Sequence, residues 1–260
     1  MSAKSSPPSD RSDRLRSVGQ RAASAGFTLV EMLVVVAIIA VMTALLAPAF
    51  SSIAGGQNLA TTASDLQGVL EQARAYAMSK NVYVYVGFEE VDGSKPASLA
   101  PQVSGTGRLA VAIMQTNDGD NDFQTASWSP GSWLMEIAPL RHFENVHLTA
   151  TALPYTGNLA RPSGNVLQVG GPADATSNNW FDFPLGSTAS GHVQYTFSRV
   201  FYFDPQGTPW VSTATSTSPL VYPYLELGLV PAHGNIASTG SNAAVIQIDG
   251  ITGATQVYRP

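Results

Sequence analysis

The sequence predicts an α+β chain: a long N-terminal helix, transmembrane in its first half and amphipathic in its second, packed on an antiparallel β-rich head. Three observations carry this. Residues 27–47 are an apolar run with a single charge, Glu31. Residues 57–80 repeat apolar side chains at helical spacing. From Val82 onward the apolar period drops to two, in short runs separated by Gly, Pro, Ser and Asn. The 23 Gly and 17 Pro also exclude a helical bundle.

The first 25 residues are Ser-rich, with two prolines and no apolar period, so they read as disordered. Residues 1–26 hold Lys4, Arg11, Arg14, Arg16 and Arg21 against Asp10 and Asp13, a balance of +3. The whole chain is at −5, so the remainder carries −8. An acidic body argues against a nucleic-acid surface, which needs clustered Lys and Arg. A basic end ahead of an apolar run reads as the cytoplasmic flank of a membrane segment. There is no cysteine, so disulfides, thiolate metal sites and cysteine nucleophiles are excluded together.

The run from Phe27 to Ala47 spans about 31 Å as a helix, close to the ~30 Å bilayer core. A secretory signal peptide has a shorter apolar region, 7–15 residues. Ala47-Pro48-Ala49 mimics its cleavage site, but the run is too long and contains Glu31. A plain signal anchor fits the length and the basic flank. It leaves Glu31 unexplained, because a carboxylate in a membrane helix costs about 2.5–3.5 kcal/mol.

The string Gly26-Phe27-Thr28-Leu29-Val30-Glu31 accounts for that acid. It resembles the cleavage and N-methylation motif of type IV prepilins and type II secretion pseudopilins, and Pro48 falls where that family places a helix-kinking proline. The resemblance implies that a prepilin peptidase cuts after Gly26 on the cytoplasmic side and methylates the new amine of Phe27. It implies that Glu31 of an incoming subunit pairs with the Phe27 amine of a neighbour. A buried carboxylate becomes tolerable when it meets a cation. The processing residues are then Gly26 and Phe27, and the assembly residues Glu31 and Pro48. The implied partners are prepilin peptidase, other pilin or pseudopilin subunits and inner-membrane lipid, with no nucleic acid. The implied location is the inner membrane, single-pass, N-terminus cytoplasmic and head periplasmic, with passage into a pilus or pseudopilus.

Pro48 removes an amide donor and Gly55-Gly56 weakens the helix further, so a joint is expected over 48–56. Beyond it, Leu59, Ala63, Leu66, Leu70, Ala73 and Ala77 form an amphipathic stripe, with Asp65, Gln67, Glu71, Gln72 and Arg74 off it. Three segments result: a cleaved leader 1–26, a membrane and assembly helix 27–81, and an exported head 82–260. Val82, Val84 and Val86 open the head as a strand. Further strands are expected at 109–114, 133–137, 146–149, 193–203, 225–229, 244–248 and 255–258, with loops at 89–107, 154–191, 204–219 and 231–243. The order of elements resembles the H-type minor pseudopilins. The C-terminal residues 246–260, with Phe201-Tyr202-Phe203-Asp204-Pro205-Gln206-Gly207 upstream, resemble the pilin-like proteins of the Verru_Chthon cassette group.

Candidate chemistry is sparse. Asp118, Asp120 and Asp122 alternate as in a calcium loop, but Phe123 stands where glycine is needed and Ser129 where the bidentate glutamate belongs, so a solvated turn is expected. Gly105, Gly107 and Ala110 mimic a dinucleotide fingerprint but lead into a strand rather than a helix. His142, His147, His192 and His233 form no zinc pattern. Trp128, Trp133, Trp180 and Trp210, with Tyr155, Tyr222 and Tyr224, read as aromatic plugs of a loop-rich core, with glycan or protein binding as the other option. No catalytic residue, metal or cofactor is expected. The sequence points to a structural subunit of a type II secretion-like or type IV pilus-like assembly; the alternative is an adhesin-like head delivered by the same route.

Overall fold

The computed structural model describes residues 27–117, 134–170, 181–185, 193–211, 220–239 and 242–259, and only the backbone over 45–56. The chain divides into two compact units, Met1–Ala47 and Pro48–Pro260. The second is α+β and contains the head.

Helix α1 is assigned from Leu29 to Lys80. In the second unit its six-residue stripe is buried as expected: Leu59, Ala63, Leu66, Leu70, Ala73 and Ala77 are all nearly inaccessible, while Asp65, Glu71 and Gln72 are exposed. The helix stops because Asn81 takes the left-handed conformation, φ 56°. The Val82 amide then reaches back to the Ala77 carbonyl at 3.2 Å, closing a Schellman end. That cap delays the first strand, which begins at Val84 rather than Val82.

Among the described residues twelve strands follow: β1 (Val84–Asp92), β2 (Gly107–Thr116), β3 (Leu134–Thr149), β4 (Val166–Gln168), β5 (Phe181–Phe183), β6 (Tyr195–Phe197), β7 (Arg199–Phe203), β8 (Pro209–Val211), β9 (Tyr224–His233), β10 (Ile236–Ala237), β11 (Ala244–Asp249) and β12 (Thr255–Tyr258). The main sheet runs β12-β11-β9-β3-β2-β1-β7-β8, antiparallel throughout this path. β10 pairs antiparallel with β9, and β4 adds to β9 in parallel. β5 and β6 make a separate two-stranded ribbon.

Several expectations are corrected here. The two strands read at 133–137 and 146–149 are one 16-residue strand, β3. Pro139 looks like a break, but β2 keeps pairing past it through register shifts between Val111 and Ile113 and between Ile113 and Met114. A bulge absorbs the residue that cannot donate. The strand read at 193–203 is two, β6 and β7, which belong to different sheets because the chain changes layer at Ser198. The loops read at 154–191, 204–219 and 231–243 contain β4 and β5, β8, and the end of β9 with β10. These strands are too short to show a period among turn residues.

β1 is buried at almost every position, because both faces of the sheet are covered. On one face, Val84, Val86, Phe88, Leu109, Val111, Ile113, Leu227 and Ile246 pack against the helix stripe. On the other, Tyr85, Ala110, Ala112, Met114 and Tyr202 pack against Phe181, Tyr195 and Phe197 of the β5–β6 ribbon. Gly87 permits that second contact: a Cβ there would lie 2.5 Å from Cζ of Phe181 and 3.0 Å from Cβ of Phe197. Gly87→Ala is therefore expected to destabilise the head by about 1–3 kcal/mol through overpacking, read as a fall in urea midpoint with unchanged slope. No change in midpoint would mean that the ribbon is free to move away.

The outermost strands are occupied. β12 is tied to the helix: Gln67 Nε2 donates to the Thr255 carbonyl at 3.3 Å, Thr255 Oγ1 donates to Glu71 Oε1 at 2.8 Å, and Arg259 Nη1 reaches the Ala60 carbonyl at 3.4 Å. Beyond β8, Val211 and Leu220 exchange backbone hydrogen bonds of 3.0 and 2.7 Å.

Candidate functional site

The site is the first turn of α1. Leu29 opens the helix and Thr28 stands as its N-cap. The Glu31 amide donates to Thr28 Oγ1 at 3.2 Å. In return Glu31 Oε2 accepts from the Thr28 amide and the Thr28 hydroxyl, both at 2.8 Å. This is a reciprocal capping box, which satisfies helix-end donors that would otherwise lack partners. The pattern Thr-x-x-Glu ahead of an apolar run is its sequence signal. Thr28 is thus a positioning residue for the acid, a role that reading the motif for processing alone overlooks.

Around the box every large apolar side chain is bare. Phe27 is 77% exposed, Leu29 81% and Val36 64%, and Val30, Leu33, Ile39 and Val41 are more than half exposed. A helix apolar on all sides calls for lipid or other helices around it. Its one interior hydroxyl is already bonded: Thr43 Oγ1 donates to the Ile39 and Ala40 carbonyls, each at 3.0 Å. Among the described residues no helix is long and apolar enough to cross a membrane. The described side chains of the run end at Ala44, before Ala47. Gly26 and the Pro48 side chain lie outside the described residues, and the backbone over 48–56 is helical rather than broken as the joint expected there would have it.

Among the described residues the head gathers no comparable site. His142 Nε2 meets Tyr195 Oη at 2.8 Å, and His147 Nδ1 meets both Glu90 carboxylate oxygens at 2.8 and 3.0 Å, so the two histidines serve different partners. His233 ends β9, and His192 lies outside the described residues. Asp118, Asp120, Asp122, Phe123 and Ser129 also lie outside them. Among the described residues no group of three or more His, Asp or Glu could hold a metal ion. Gly107 opens β2, as its strand context required, and packs against the Gly234 carbonyl with φ +101°. Of the aromatics, Tyr222 packs on the helix-side core, Trp210 packs on the ribbon-side core and Tyr155 stacks on Arg161. Trp128, Trp133 and Trp180 lie outside the described residues.

Sequence reasoning missed the buried polar centre of the head. Arg161 and Glu226 form an ion pair with both side chains fully inaccessible, Nε–Oε1 2.6 Å and Nη2–Oε2 2.9 Å. All five guanidinium donors are used, the others by the carbonyls of Leu153, Pro154 and Leu159. Gln168, Gln247 and Tyr155 complete the carboxylate's partners. The pair is 65 residues apart in the chain, and no local pattern marks it.

Glu89 on β1 also escaped notice. Burial pushes its carboxyl up to about 7, against the opposing charge of Arg199 and the hydroxyl of Ser198. The neutral form suits the fold. Glu89 therefore supports stability fully below the ordinary carboxylate range and does so less and less as pH rises toward about 7. Thermal melts at pH 5 and pH 8 should show Glu89→Gln gaining on the wild type at the higher pH and not at the lower. Equal differences at both would show that Glu89 is ionised throughout.

These residues define a chain with a capped, charge-bearing apolar helix ahead of a β-rich head. Residues 21–47 match the family model of the prokaryotic N-terminal methylation motif, so the chain carries the prepilin-type cleavage and methylation signal of type IV pilins and pseudopilins. No curated protein and no solved structure matches the chain.

Proposed function

We propose that this chain is a structural subunit, a minor pilin or pseudopilin of a type II secretion-like or type IV pilus-like assembly. Prepilin peptidase cuts it after Gly26 and methylates Phe27. The run 27–47 anchors the head to the inner membrane, with the head periplasmic, until the subunit is drawn into a bundle of like helices. Pro48 and Gly55-Gly56 weaken the helix over 48–56, which lets the stem bend there as it packs. One observation carries the reading: a carboxylate sits one turn inside a helix whose large apolar side chains from Leu29 to Met42 are bare. In lipid that acid is a cost, and in a bundle a neighbour's liberated amine offsets it.

The test is mass spectrometry of the native protein purified from its own membrane. The mature chain should begin at Phe27 and carry one added methyl group. A chain starting at Met1 or near Phe50 would remove the amine from the site and overturn the reading.

A further inference from the structure

Among the described residues the main sheet is eight strands wide along its path, and α1 lies on its face. A sheet that wide covers a single helix only by curling, and the two ends of this one meet. The β7–β8 turn runs through Asp204, Gln206, Gly207 and Thr208. The β11–β12 turn runs through Asp249 to Gly253. Thr208 Oγ1 donates to the Ile251 carbonyl at 3.1 Å, joining the turns directly. Gly253, at φ +69°, packs so close to the Gly207 carbonyl that a side chain there would overlap it. The helix closes the circle: a Cβ on Gly253 would lie 3.0 Å from Arg74 Nε, and one on Gly207, at φ +83°, 2.9 Å from Met78 Sδ.

Each turn is stiffened from within. Asp204 Oδ1 accepts from the Gln206 and Thr208 amides at 2.9 Å, and its Oδ2 from Trp210 Nε1 at 2.9 Å. Asp249 Oδ1 accepts from the Ile251 and Thr252 amides at 3.1 and 2.7 Å and from the Thr252 hydroxyl at 2.8 Å. These bonds to its charged form, chiefly from the Thr252 amide, hold the Asp249 carboxyl below its ordinary range, against burial. Farther along the helix, β12 continues the grip through Gln67, Glu71 and Ala60.

We infer that the two end turns form a clasp that locks α1 into the head, so that a pull on the helix is borne by the turn-to-turn contact before the core gives way. Two preformed loops meeting through glycines are stiff, local and far from the sheet centre, so the clasp opens without unfolding β1, β2 and β3. Its use, carrying load between stem and head, rests on the assembly reading above. Its existence does not.

The full chain in detergent micelles can be pulled between handles on Gln57→Cys and Leu99→Cys, both exposed, and the absence of native cysteine makes the labelling unique. Thr208→Val removes the joining hydrogen bond and should speed rupture about fivefold at fixed force. Gly253→Ala adds backbone strain and a clash and should speed it more than ~tenfold. Gly68→Ala is the control, since a methyl group at that exposed helix position meets nothing within 4 Å. Rupture at wild-type rate in both clasp variants overturns the clasp, as does equal acceleration in Gly68→Ala. Thr208→Val decides the matter alone if Gly253→Ala does not fold. A wrong N-terminus by mass spectrometry would leave this result standing.

Discussion

Arg161→Met is expected to destabilise the head by about 3–5 kcal/mol, a large part of the stability of a domain this size. The substitution leaves the Glu226 carboxylate at zero exposure, with neutral donors from Gln168, Gln247 and Tyr155 but no cation. It also frees the carbonyls of Leu153, Pro154 and Leu159, which anchor the segment leading into β4. Replacing both partners by methionine should cost less than replacing Arg161 alone, because the stranded charge then goes too. The pH dependence has a definite sign. Burial alone would raise the Glu226 carboxyl, but the bonds from Arg161, Gln168 and Gln247 outweigh it and hold the group below its ordinary range. Its contribution is complete above the ordinary carboxylate range and lost as pH falls through the lower folded value. Urea titrations of the single and double variants at pH 7 and pH 4 read all of this. A single variant as stable as the double would show that the charge is not stranded.

Glu31→Ala is expected to leave cleavage after Gly26 intact and to reduce incorporation into an assembly at least tenfold. Alanine removes the acid's half of the capping box as well as the charge, while the residue-31 amide can still donate to Thr28 Oγ1. Glu31→Gln separates the two effects. Glutamine can still accept from the Thr28 amide and hydroxyl, as Glu31 Oε2 does at 2.8 Å, but it cannot pair as an anion. The measurement is the ratio of assembled to membrane-held subunit, with the mature N-terminus checked in each variant. If Glu31→Gln assembles normally while Glu31→Ala does not, the acid acts as a cap and the intersubunit charge pair has no role. If both assemble normally, neither matters.

The sequence was most legible where one physical constraint dominates. The stripe from Leu59 to Ala77 lies in a single helix against a single sheet face, so its spacing of three and four maps directly onto burial. β12 was found at its full length, because Thr255–Tyr258 is bounded by Gly253 and Pro260. The processing motif was readable because the chemistry is local to six residues, and the match over 21–47 agrees. Legibility failed where structure depends on distant partners. β3 continues past Pro139 only because β2 lies beside it. β5 is a strand only because β6 supplies its hydrogen bonds, and nothing local shows that the strand read at 193–203 changes sheets at Ser198. The Arg161–Glu226 centre needs β4, β9 and β11 assembled before any of its residues is a neighbour of the others.

In the assembly proposed above, heads would crowd together at concentrations where exposed sheet edges fuse. Here the outer rung on one side is bonded to helix side chains and on the other to Leu220. The stretch of β3 that β9 leaves uncovered carries Pro139, Arg141 and Glu144, residues that discourage sheet growth. A head built this way can be packed densely without zipping irreversibly into its neighbours, leaving recognition to side chains.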